Sequence, residues 1–146
     1  LGRRYHLLLV GSSMPAAVPD NVTVIDDFLP ATQVARLMAS ADALLHAGDQ
    51  ETFGLVILEA MASGIPVVAA RASGNECLVT DGTTGALVTP GDIAGYADAL
   101  QHYCTDPALR SAHGHAGLAA AQAFDWDAIN GAVLNRYRDL IATKHP

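Results

Sequence analysis

The chain reads as an α/β domain of Rossmann type, a doubly wound parallel sheet finished by a helical C-terminal tail. Five apolar runs of strand length recur between helix-like stretches, the alternation of a sheet covered on both faces. Hydrophobic residues make up 51% of the chain and charged residues 16%, with aromatics at only 5%, which suits a packed core of small aliphatic side chains. A length of 146 residues is enough for one such core and too short for two.

The first strand is expected over Tyr5 to Val10 and the second over Val22 to Asp26. Behind the Pro30 breaker, Thr32 to Ala41 carries Val34, Leu37, Met38 and Ala41 at helical spacing, an amphipathic crossover. Ala43 to Ala47 is the third strand. The helix that follows, Phe53 to Ser63, stops at Gly64 with Ile65-Pro66 behind it, a glycine stop followed by proline. Pro66 to Ala70 and Gly85 to Thr89 complete the strands, Pro66 opening its strand where a missing N–H matters least. Beyond Pro90 the pattern is helical over Asp92 to Tyr103, Pro107 to Phe124 and Trp126 to Thr143. Asp106-Pro107 and Asp125-Trp126 place an acid at the start of each of the last two, and Trp126 is expected to anchor the final helix to the sheet.

Charge narrows the partners. The formal net charge is -7, and the 8 basic residues are scattered as Arg3, Arg4, Arg36, Arg71, Arg110, Arg136, Arg138 and Lys144. That distribution makes no nucleic-acid footprint. An anionic ligand would have to be held by local donors such as helix N-termini. Cys77 and Cys104 are isolated thiols of the kind a reducing cytosol keeps free, and none of the 6 histidines has metal-site spacing. No apolar run reaches membrane-span length, and no signal-peptide pattern opens the chain. A start at Leu1 without methionine is the expectation for an excised domain.

Ligands of open parallel sheets bind beyond the carboxyl ends of the strands. Those exits read Gly11-Ser12-Ser13, Asp26 to Leu29, Gly48 to Gly54, Arg71 to Glu76 and Pro90-Gly91-Asp92. The sharpest is Glu51 to Glu59, where two glutamates frame Phe53, Leu55, Val56, Ile57 and Leu58. Such a helix must be largely buried, and helical side chains lean toward the N-terminus, so the Glu59 carboxylate would approach the crevice, where it could accept from a pair of sugar hydroxyls. A solvent-facing stripe shared with Thr52 and Ser63 accounts for Glu59 equally well. Glu51 stands ahead of the helix, where the N–H groups of Phe53, Gly54 and Leu55 suit a diphosphate and Gly54 keeps the approach open; Glu51 and Thr52 as plain helix caps are the alternative. Arg71, at a strand exit, is a candidate phosphate contact.

The run from Glu51 through Val68, ETFGLVILEAMASGIPVV, resembles the signature of family 4 (group 1) glycosyltransferases. Similar pieces flank it in order: Ala41-Asp42, Asp81-Gly82 through Gly85, Pro90-Gly91-Asp92, Asp106-Pro107 and Phe124-Asp125-Trp126. The resemblance implies the C-terminal, donor-binding half of a two-domain GT-B enzyme, with residues 1–146 as that N-terminally truncated domain and the acceptor-binding domain absent. It implies that Glu59 holds the ribose, that Glu51, in the catalytic position, and Thr52, with the backbone of Phe53, Gly54, Leu55 and Val56, hold the donor sugar and diphosphate, that Leu29 borders the base, and that a Ser73-Gly74-Asn75 turn faces the donor. The donor is a UDP- or GDP-sugar, without cofactor or metal, and the hexose passes with retained configuration to an acceptor sugar, lipid or glycan. The full enzyme is expected in the cytoplasm, or peripherally at the inner membrane face. The chain alone, without the family's basic residues that precede Leu1, is expected to be inactive and to be prone to self-association.

The sequence departs from the pattern in places. Asp27 and Ser73 stand where the family carries glycines, and the proline- and alanine-rich Gly11 to Asn21 segment replaces a helix. A sugar-nucleotide epimerase of related architecture shares the glutamate logic, and a non-catalytic nucleotide-sugar-binding module would keep the fold alone. A dinucleotide-binding dehydrogenase fits worst, because Gly11-Ser12-Ser13-Met14-Pro15 is no three-glycine turn.

Overall fold

The computed structural model describes residues 5–144 except Met14 and Ala16; Arg3 and Arg4 lie outside the described residues. The elements run β1 (Leu7–Gly11), β2 (Val22–Asp26), α1 (Ala31–Ser40), β3 (Leu44–His46), α2 (Leu55–Ala62), β4 (Val67–Ala70), α3 (Ser73–Leu78), β5 (Gly85–Val88), α4 (Ile93–Thr105), α5 (Pro107–Ala121) and α6 (Trp126–Lys144), with a 3-10 turn at Gln122–Phe124. All strand pairs are parallel. They are hydrogen-bonded as two pieces, β1-β2 and β3-β4-β5.

Strand β4 is the centre of the fold, with Val67, Val68, Ala69 and Ala70 all fully buried. Its alternation divides the core. Val67 and Ala69 pack with Met38 of α1, Ile57, Ala60 and Met61 of α2, and Leu78 of α3. On the opposite face Val68 packs with Val88 and with Tyr103 of α4. Helices therefore cover both faces, the doubly wound α/β arrangement expected. Complete burial of Ile57 and Met61 contributes about 1.5–3 kcal/mol each.

The β1-β2 pair is less well covered: Leu7, Leu8 and Val10 remain 37–39% exposed. Among the described residues no helix lies between β1 and β2. Two side-chain bonds add to the backbone ladder of the pair, His6 Nε2 with Thr23 Oγ1 at 2.8 Å and Asn21 Nδ2 donating to the Tyr5 carbonyl at 3.0 Å.

The capping acids fall where the sequence places them. Asp106 accepts from the N–H groups of Ala108 and Leu109, and Asp125 from those of Asp127 and Ala128. Trp126 departs from expectation: it is 71% exposed and does not anchor α6 to the sheet. Trp126 is the first residue of α6, and the junction is made by the 3-10 turn before it, whose Phe124 packs against the core.

Candidate functional site

The site is assembled where β3 and β4 end. Helix α2 begins at Leu55, two residues later than the sequence reading, because Gly54 sits at φ 87° in the left-handed region and breaks the helix on its N-terminal side. The Gly54 carbonyl then accepts from Ile57 and Leu58 as the first intrahelical bonds. No side chain caps α2, so its first-turn N–H groups, those of Leu55 and Val56, face outward as donors at the positive end of the helix.

Ile57, Ala60 and Met61 form the buried stripe of α2, and Leu55 and Glu59 lie four residues apart on the exposed one. Glu59 is exposed, and its carboxylate is paired with no described residue. Ser63 donates its hydroxyl to the Glu59 carbonyl at 2.8 Å, a contact with the backbone that leaves the carboxylate free.

Glu51 is locked by its backbone. Its carbonyl accepts the Gly74 N–H at 3.2 Å, and a Cβ on Gly74 would lie 2.4 Å from that same oxygen, so only glycine permits the approach. Beside it Asn75, fully buried, donates from Nδ2 to the carbonyls of Gly48, at 3.0 Å, and Ala70, at 2.9 Å. The exits of β3 and β4 are thereby fastened together. Ser73 and Gly74 open the helix α3, where the sequence reading has a turn; Ser73 is exposed and Gly74 buried. Phe53, 40% exposed, meets Phe124 edge-on at a centroid distance of 5.9 Å, which ties the loop before α2 to the turn after α5.

Thus Glu51, Thr52, Phe53, Gly54, Leu55, Val56, Ser73 and Gly74 share one contact region, with Glu59 one turn along α2. Leu29 is half-buried just beyond β2, a strand hydrogen-bonded to β1 and not to β3. Arg71 is committed elsewhere: its guanidinium pairs with Asp81, donates to the Leu87 carbonyl at 3.1 Å and lies 4.0 Å from Glu76. The Leu87 N–H, together with Arg71, holds the Asp81 carboxyl below its ordinary value against the opposing effect of partial burial. These bonds oppose the phosphate role considered for Arg71.

One residue of the region was missed by sequence reasoning. His46, the last residue of β3, brings Nε2 to 3.4 Å from Glu51 Oε2, and Gly48 leaves the space the ring occupies, since a Cβ there would lie 3.2 Å from Nε2. The available signal was a histidine at a strand's carboxyl end followed two residues later by glycine.

Among the described residues no group of three or more His, Cys, Asp or Glu could hold a metal ion, and no helix is long and apolar enough to cross a membrane.

Comparison with known proteins identifies the family and the fold. The family model "Glycosyl transferases group 1" matches residues 2–106. A D-inositol 3-phosphate glycosyltransferase of Kribbella flavida is 39% identical over 124 residues, 85% of this chain and 29% of its own. The sucrose-phosphate synthase of Thermosynechococcus elongatus superposes with a TM-score of 0.84 at 33% identity, over 94% of this chain and 39% of that one. Anabaena HepE, solved in complex with UDP-glucose, gives a TM-score of 0.79 at 28% identity, over 92% and 41%. The chain thus spans less than a third of the length of the curated relative and about two fifths of these solved structures.

Proposed function

The chain belongs to the group 1 glycosyl transferases, and on that premise we propose that it is the donor-binding half of a hexosyltransferase using a UDP- or GDP-sugar. The observation that carries the reading is the placement, at the exits of β3 and β4, of an uncapped helix N-terminus and the Glu51 loop fastened to Gly74, with the unpaired Glu59 one turn along the same helix. The N–H groups of Leu55 and Val56 suit the diphosphate, Glu59 the ribose hydroxyls, and Glu51 and Thr52 the hexose. The complex of HepE with UDP-glucose supports a donor of this class.

In the proposed reaction the anomeric carbon–phosphate oxygen bond breaks while an acceptor hydroxyl oxygen bonds to that carbon from the same face, its proton passing to the departing diphosphate. Configuration is retained, no metal takes part, and catalysis comes from positioning and from donors that meet the leaving-group charge. The acceptor, a sugar, lipid or glycan, is selected by the other half of the enzyme, and this half alone does not turn over. We place the full enzyme in the cytoplasm or at the inner membrane face.

Exposed Val133, Leu134, Tyr137, Leu140 and Ile141 on α6, between 46% and 64% accessible, favour self-association of the isolated chain. Light scattering tests this, and a clean monomer at high concentration contradicts it.

Amide chemical-shift mapping tests the site. Addition of UDP-glucose or GDP-mannose should move Phe53 to Val56 and Gly74 ahead of the β5-α4 region; shifts confined to the far side of the sheet would contradict the assignment.

A further inference from the structure

We propose that His46 is a positioning residue for Glu51, holding its carboxylate toward the bound hexose; the inference rests on the donor-site reading above. Three observations carry it. The His46 Nε2 atom is shielded from solvent and makes no aligned hydrogen bond, yet it lies 3.4 Å from Glu51 Oε2. A shielded ring nitrogen without a partner is costly, and the nearest group able to relieve the cost is that carboxylate. Both side chains are only partly exposed, 21% for His46 and 33% for Glu51, so their attraction is less screened than that of a surface pair.

The surroundings leave Glu51 as the ring's partner. Asp49 shares the loop, while β4 places Ala69 beside His46 in register and α3 contributes the uncharged Asn75 through its bond to Gly48. The loop backbone is already fixed by Gly74 and Asn75, so the freedom left to Glu51 is rotation of its side chain. A small rotation aligns Oε2 with the ring N–H. The other carboxylate oxygen is then left to accept a hydroxyl of the sugar. A mobile carboxylate would pay that orienting entropy at each binding event; a held one has it settled beforehand.

The pairing and its consequence have separate readouts on the 146-residue chain. The imidazole nitrogen signals of His46, read by NMR at one fixed neutral pH, should move in Glu51→Gln, which offers a weaker acceptor than the carboxylate, while those of His6 should stay where they are. Unmoved His46 nitrogen signals overturn the pairing whether or not the chain binds nucleotides. Calorimetry then compares UDP with UDP-glucose. His46→Phe should leave UDP affinity as it was and lower the ratio of UDP-glucose to UDP affinity about threefold or more, with His46→Gln, which keeps an N–H donor, restoring part of it. Equal ratios in parent and His46→Phe overturn the positioning role. If His46→Phe fails to fold, the same comparison is read on His46→Gln against Glu51→Gln, whose ratios should fall in that order, and an unchanged ratio in His46→Gln with a full loss in Glu51→Gln overturns the role. Parent chain that binds neither ligand refutes the donor-site reading and the role with it, while the His46 nitrogen signals still decide the pairing.

Discussion

The Gly74 N–H donates to the Glu51 carbonyl at 3.2 Å, and through this bond the loop leaving β3 and the helix following β4 become one unit. A methyl group at Gly74 would lie 2.4 Å from that oxygen and 2.9 Å from the Thr52 carbonyl carbon, backbone atoms that cannot swing aside. Gly74→Ala should therefore destabilise the chain by about 1–3 kcal/mol, the range for forced overpacking. Denaturant unfolding checks the cost. An unchanged midpoint would mean the two segments part readily and the site is not fastened as described.

Asn75 makes a second, chemically different connection. Replacing it with alanine strips the buried Ala70 carbonyl and the Gly48 carbonyl of their amide donor. The expected cost is about 1–3 kcal/mol for each acceptor left unpaired in the interior, less where water enters near Gly48. Asn75→Asp should do worse at neutral pH, because a carboxylate would face two carbonyl oxygens with nothing to donate. Thermal unfolding of the two variants side by side decides the order.

The pair of Arg71 and Asp81 predicts a pH dependence. The folded pKa of Asp81 is depressed below its ordinary 3.8, first by the Leu87 N–H and then by Arg71. Its contribution is complete above that ordinary value and is lost as pH falls through the lower folded one. Asp81→Asn should be less stable than the parent at pH 7, and the difference should shrink toward zero as both are acidified below pH 3.8. Both partners are nearly half exposed, so the gap at pH 7 is small. A gap that widens on acidification would contradict this sign.

Periodicity and punctuation carried much of this fold, and the gaps have physical causes. Apolar runs bounded by Gly64 and Pro66 located β4 because a strand buried on both faces has no polar alternation to hide it. The helix α3 was read as a turn because Ser73-Gly74-Asn75 has poor intrinsic helix propensity; it forms where tertiary contacts, the Glu51 carbonyl on Gly74 and the two carbonyls on Asn75, override that preference. The two residues' delay of α2 depends on the left-handed Gly54, a conformation glycine permits without announcing it. The division of the sheet is a matter of which strands pair, and apolar runs say nothing about pairing. At the site, both glutamates stand out in the sequence from their frame around an apolar helix, whereas His46 does not, since what singles it out is a distance to Glu51 across a turn.

Calorimetric titration of the parent chain and of Glu59→Ala with UDP and GDP tests the central claim most directly. The account predicts weak binding of one nucleotide by the parent and its loss in Glu59→Ala, because the carboxylate proposed to accept the ribose hydroxyls is gone. Binding of equal strength in both proteins would contradict it, and would show that the nucleotide is held somewhere other than the exposed face of α2.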